Sequence, residues 1–146
     1  MATLPAIRCP DCDEWMTSRE FEAGASGGAP RATDYKSCLR WCEKCGTAVS
    51  NACTGDLSKL TVIRLDPFRG MEEWLRDDWE ETMDQALNVQ SRGRKRARFG
   101  FSTSEDHLTW TVFRFLQRER ILGETMHRAG IVHETAEWRE PTLLFW

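Results

Sequence analysis

The chain has 146 residues, a mass of 16.9 kDa and a formal charge of -3. That length suits one compact domain, or a small metal module joined to a second element. It excludes a (β/α)₈ barrel of about 250 residues and a Rossmann enzyme with a separate substrate domain.

Apolar residues make up 40% and charged residues 29%, as in soluble proteins with a core. No apolar run approaches the roughly 18 residues of a membrane span. The opening MATLPAIRCPDC lacks a charged-then-apolar signal pattern, so a cytoplasmic location is expected.

All six cysteines fall within the first 53 residues. Residues 22–33 (EAGASGGAPRAT) are rich in small residues and read as a loop between two cysteine-bearing turns. Residues 57–65 (LSKLTVIRL) alternate apolar and polar and predict a strand. Asp66-Pro67 then reads as a helix start, with Asp66 as N-cap. Phe68, Met71, Leu75, Trp79, Met83 and Ala86 recur every three or four residues, which predicts an amphipathic acidic helix ending near Gln90.

Residues 67–91 carry a net charge of -5, and residues 92–98 (RGRKRAR) carry +5. Gly93 is expected to break the helix. Ser102-x-x-Glu105 resembles a capping box. Behind it Leu108, Val112, Phe115, Leu116 and Leu122 predict one buried helical stripe, with Trp110 and Phe113 as a second apolar face. Residues 124–138 read as a third, short helix. Leu143 to Trp146 read as a buried strand, a docking tail or the stump of a longer chain.

The strongest chemical signal is a pair of C-x₂-C turns, Cys9-Pro-Asp-Cys12 and Cys42-Glu-Lys-Cys45-Gly, 29 residues apart. Two thiolates at this spacing share one tight turn and aim at a common point. Two such turns complete a tetrahedral sulfur site for Zn²⁺. Pro10 stiffens the first turn, and Gly46 lets the backbone fold under the second. A cytosolic setting disfavours disulfides, and no βαβ unit accompanies a lone C-x-x-C as a redox site requires.

Over residues 6–65 this arrangement resembles a zinc ribbon, whose knuckles sit on β-hairpins. The resemblance implies structural zinc on Cys9, Cys12, Cys42 and Cys45. Cys38 and Cys53 remain alternative ligands. Cys38-x₃-Cys42-x₂-Cys45 has the spacing of the radical-SAM cluster, but that chemistry needs a longer barrel and leaves Cys9 and Cys12 unexplained. Trp15 and Trp41 flank the turns, where an indole can shield a metal from water. His107, His127 and His133 are scattered and pair with no ligand at metal spacing.

Arg92, Arg94, Lys95, Arg96 and Arg98, followed by Phe99 and Phe101, suit single-stranded nucleic acid through phosphate pairing and base stacking. The plainer reading is a basic connector paired with the acidic helix before it. Seven tryptophans exceed ordinary core needs, and some suit interface anchors.

There is no Gly-x-Ser-x-Gly, no phosphate loop and no His-Glu-x-x-His. Residues 104–116 (SEDHLTWTVFRFL) resemble the opening helix of PD-(D/E)xK, restriction-endonuclease-like proteins. That resemblance implies a metal-approaching role for Glu105. The family's following Asp and (Asp/Glu)-x-Lys, which hold Mg²⁺, do not occur after residue 116. Without them Glu105 reads as the capping-box partner of Ser102.

Together these readings predict an α+β protein. A Cys₄ zinc ribbon with short β-hairpins (1–65) precedes two or three amphipathic helices (66–146). The expected role is a non-catalytic nucleic-acid or nucleoprotein binding module, with no membrane partner. A split or truncated metal-dependent nuclease and a protein–protein adaptor, docking through the tryptophans and the apolar C-terminus, are the alternatives.

Overall fold

Two hairpins carry the cysteine turns. In the first, Arg8 and Trp15 bridge, Met16 N–H donates to Ile7 O (3.1 Å), and the turn closes from Asp13 N–H to Cys9 O (2.9 Å). Asp13 takes the left-handed conformation (φ 60°) that this tight return demands. In the second, β2 (Arg40–Cys42) and β3 (Thr47–Val49) pair through a turn in which Gly46 has φ 66°. With β1 (Thr17–Ser18) and β4 (Val62–Arg64) they form an antiparallel sheet in the order β1-β2-β3-β4. The structure, a computed structural model, describes residues 1–25, 27–77, 79–86 and 89–131.

Register assigns the faces. Cys42, Thr47, Val49 and Arg64 share one face, and Trp41, Ala48 and Ile63 share the other. The first face packs with Ile7, Met16 and Leu60 around the cysteines. The second packs on Ala32 and Cys38, with Tyr35, Trp41 and Phe101 half-buried beside them. Arg40, fully buried, is a clamp that sequence reasoning missed. Its guanidinium donates to the carbonyls of Pro5, Ser50, Ala52 and Thr54 and so ties the N-terminal segment to the loop after β3. Burial holds its pKa below the usual value.

Four helices follow among the described residues: α1 (Trp79–Ala86), α2 (Val89–Phe99), α3 (Glu105–Arg118) and α4 (Leu122–Arg128). The fold is α+β, with four helices where two or three were predicted. No helix among the described residues is long and apolar enough to cross a membrane. Residues 100–102 run along β4: Arg64 N–H donates to Gly100 O (2.8 Å), and Ser102 N–H to Val62 O (2.7 Å). A side chain on Gly100 would place Cβ 2.1 Å from Arg64 O, so this seam requires glycine.

Several predicted elements are corrected. The strand over 57–65 is only Val62–Arg64. Asp56 captures Ser58 N–H (3.0 Å) and turns 57–59 into a 3₁₀ helix. The acidic helix from Asp66 is not continuous. Asp66 does accept from Phe68 N–H (3.0 Å), but Gly70 turns left-handed (φ 73°), a 3₁₀ turn spans Glu73–Leu75, and α1 begins at Trp79.

Its apolar positions nevertheless converge. Phe68, Leu75, Trp79 and Met83 pack with Phe99 and Trp110 as the helical core, while Met71 is exposed. Gly93 does not break a helix: α2 runs through it. The cap of α3 is Ser104, which accepts from His107 N–H (3.2 Å). Ser102 is occupied elsewhere, because its hydroxyl and amide both serve Val62 at the sheet edge. Glu105 is therefore the first helical residue and not a capping-box partner.

Of the predicted core stripe, Leu122 is buried in α4 and Leu116 is half-buried, but the other three members face outward. Leu108, Val112 and Phe115 are 66%, 44% and 49% exposed. The buried face is that of Trp110 and Phe113, because the Trp110 indole N–H reaches Leu75 O (2.6 Å) inside the core. The short helix expected over 124–138 is α4, closed by Gly130 at φ 71°. His133, Trp138 and Leu143 to Trp146 lie outside the described residues.

Candidate metal centre

The two hairpins bring four sulfurs together. One ligand atom from each of Cys9, Cys12, Cys42 and Cys45 lies within 4.8 Å of all the others. Cys9 Sγ is 3.4 Å from Cys45 Sγ, and Cys12 Sγ is 3.5 Å from Cys42 Sγ. A tetrahedral ion with Zn–S bonds of about 2.3 Å has sulfur–sulfur edges of about 3.8 Å. The cluster matches that size without rebuilding the backbone. Its donor set, four thiols and no carboxylate, is that of a soft or borderline metal.

The other predicted participants separate. Cys38 is buried on the opposite sheet face, with its thiol 3.3 Å from Asp34 O, and is not part of the cluster. Burial pushes its pKa up to about 12. Cys53 is exposed and not the small core residue its type suggests. The shield over the cluster is Ile7, Met16, Val49 and Leu60. Trp41 packs on the other face, and Trp15 is 62% exposed, so neither indole covers the sulfurs.

A polar net fixes the first knuckle to the sheet. Asp11, between Cys9 and Cys12, accepts two bonds from Arg64, from Nε at 2.9 Å and Nη2 at 2.8 Å. It also accepts from the Thr47 hydroxyl (2.7 Å), whose oxygen lies 3.3 Å from Cys45 Sγ. Arg69 donates to the Cys45 carbonyl. The Arg64 bonds hold the Asp11 carboxyl at about 2. Without metal, burial lifts Cys9 to about 12 and also raises Cys42. At Cys45 burial is outweighed by bonds with Thr47, Arg69 and the neighbouring thiols, and the thiol falls to about 6. The net supplies outer contacts that orient ligands. Sequence spacing offered no sign of it, because Arg64 and Thr47 reach Asp11 only after the sheet forms.

The basic stripe is divided. Lys95 pairs with Asp106 (2.7 Å), and Arg96 pairs with Glu80 (2.7 Å) and Asp84 (2.9 Å) of the acidic α1. Arg94 and Arg98 are exposed, and the side chain of Arg92 lies outside the described set. Two of the five predicted stripe cations, Lys95 and Arg96, therefore serve the fold.

His107 sits between Phe68 and Phe99, at ring distances of 5.8 and 4.8 Å. Burial, then the charge of Arg64, lowers its pKa below 6.5. Glu105 is exposed at the head of α3. Among the described residues no second group of three acids, histidines or cysteines gathers around it.

The site defines an α+β protein whose paired hairpins bring four cysteines close enough to hold a metal ion. Comparison with family models, with curated proteins and with solved structures gives no match.

Proposed function

We propose that this chain is a structural-zinc protein that works as a nucleic-acid-binding module and not as a catalyst. The closed ligand set carries the reading. A catalytic zinc keeps three protein ligands and one open position, whereas four thiolates leave none. Cys9, Cys12, Cys42 and Cys45 would hold the ion, and its binding would supply roughly 10–16 kcal/mol of apparent folding energy.

Nucleic acid is favoured as partner because Arg94 and Arg98 project from α2 into solvent, beside Lys95 and Arg96, which are already neutralised. The test is binding of a labelled oligonucleotide across a salt series. A steep loss of affinity with salt supports the reading, and a flat response removes it.

One observation favours a second reading, a protein adaptor. Leu108, Val112 and Phe115 stand at i, i+4 and i+7 on the outer face of α3, the pattern of a helix that lies in a partner's groove. Co-purification of a partner that survives nuclease treatment and is lost on Leu108→Asp would support it.

A further inference from the structure

We infer that the cationic stripe of α2 ends in a recess that takes one unstacked nucleotide, with Arg31 and Arg98 on its phosphate and Glu105 selecting guanine. The inference rests on the nucleic-acid reading above and adds to it a pocket, a residue from another segment and a base. The recess, of about 340 Å³, lies where the C-terminal end of α2, the turn after it, the start of α3 and the 22–33 loop meet. Small-ligand pockets run from roughly 300 to 1,000 Å³, so this one is of single-nucleotide size. The stacked and paired bases of a duplex cannot enter it, whereas a splayed-out base of a single strand can.

The charges of the lining favour a phosphate. Lys95 and Asp106 hold each other at 2.7 Å and cancel. Arg31 and Arg98 are exposed and have no ion pair among the described residues. Two guanidinium groups at one recess make a phosphate clamp, because each presents its N–H donors as a planar fork. Arg94 and Arg98 stand at i and i+4 and are both exposed, so a backbone lying along α2 is led to the recess. Arg31 has no place in the sequence-level stripe, because it reaches α2 only through the fold.

Glu105 is the odd member of the lining. It is exposed, has no ion pair among the described residues and caps nothing, since Ser104 caps α3. The first turn of a helix favours an acid, yet a carboxylate beside a site for phosphate alone would only weaken it by repulsion. A base gives it a partner. A carboxylate accepts hydrogen bonds and donates none. Guanine presents two adjacent donors on its Watson–Crick edge, N1–H and the N2 amine, one for each carboxylate oxygen. The other bases set a bare acceptor beside their donor, and that acceptor repels the carboxylate. Ala32 and the half-buried Phe101 supply an apolar wall for the body of the base.

The experiment measures anisotropy of labelled single-stranded 15-mers on the metal-loaded full chain across a salt series. The strands are five TTG repeats, the same strand with inosine for guanine, and oligothymidylate. Inosine lacks only the N2 amine. A 15-base-pair duplex of the TTG strand serves as competitor. The TTG strand should bind about five- to hundredfold more tightly than oligothymidylate, with the inosine strand between them and the duplex a weaker competitor than the TTG strand. Glu105→Gln should erase the preference and also tighten oligothymidylate, because a negative charge leaves the recess. A purely structural role for Glu105 would produce neither change. Arg31→Ala and Arg98→Ala should each weaken all three strands and flatten the log–log salt slope by about 0.7. Arg128→Ala, on α4 and paired with Glu124, should change nothing.

Equal binding of the TTG strand and oligothymidylate overturns the guanine site, and so does a preference that survives Glu105→Gln. Equal competition by the duplex overturns it as well. An unchanged salt slope in Arg31→Ala, with Arg94→Ala still weakening binding, overturns the recess and leaves the nucleic-acid reading standing. No salt-dependent binding of any strand by the wild type overturns both the recess and the reading beneath it.

Discussion

The sheet half and the helical half reach order by different means. The four strands are two or three residues long, and the apolar cluster around the cysteines is thin: Ile7, Met16, Val49 and Leu60. Two further small clusters, Ala32, Cys38, Ala48 and Ile63 on the other face and Leu4, Phe21 and Leu39 at the edge, complete this half, and a metal on the four cysteines would tie its two hairpins together. The helical half holds together by aromatic packing. Phe68, Trp79 and Phe99 stack with ring centres 4.8–5.7 Å apart, and Trp110 closes the core. One half should therefore answer to metal and the other to volume.

The largest effect should come from the metal. Cys42→Ser, or a strong chelator, should abolish metal binding and melt the sheet half, with roughly 10–16 kcal/mol of apparent binding at stake. Circular dichroism together with backbone amide exchange would show whether the loss is confined to residues before Leu65. Simultaneous melting of α1–α4 would break the comparison.

Trp110→Ala attacks the other half. It should cost about 3–5 kcal/mol in chemical denaturation and leave metal stoichiometry intact. A variant that also loses its metal would mean that the halves fold as one unit.

Gly100→Ala targets the seam between them. Its Cβ would collide with the Arg64 carbonyl, so a cost of about 1–3 kcal/mol is expected. Because Arg64 also holds Asp11, metal affinity should fall with it. Unchanged stability and affinity would show that the seam is looser than the 2.8 Å Arg64–Gly100 bond implies.

The smallest effect concerns pH. The folded pKa of His107 lies below 6.5, so the unfolded chain takes up the proton first as the solution is acidified. Its contribution is therefore present above about pH 6.5 and is lost as pH falls through the folded value. His107→Gln should reduce the loss of stability between pH 6.5 and 5, read as the wild-type-minus-variant difference at fixed metal. Parallel curves would remove the assignment.

The cysteine site was legible in the sequence because a C-x₂-C turn encodes its geometry locally. The 29-residue gap mattered little once both turns lay on hairpins. The convergence of Phe68, Leu75, Trp79 and Met83 was also legible, though not the break at Gly70, where a left-handed turn interrupts an intact apolar pattern.

The faces of α3 were not legible. Leu108, Val112 and Phe115 and the set containing Trp110 and Phe113 are both apolar, and only the reach of one indole to Leu75 decides between them. The α3 cap was misplaced because Ser102 was drawn into the sheet edge, a contact made across 40 residues. Asp11, Arg64 and Arg31 escaped notice for the same reason: their roles arise from long-range pairing that no local pattern records.

The most direct test of the central claim is elemental analysis by mass spectrometry of chain purified without chelator, with thiol counting on the same sample. The account predicts one zinc per chain, with Cys9, Cys12, Cys42 and Cys45 protected until a chelator is added. A folded, metal-free chain in which Cys9, Cys12, Cys42 and Cys45 react no faster after a chelator is added would contradict it, and so would iron in place of zinc.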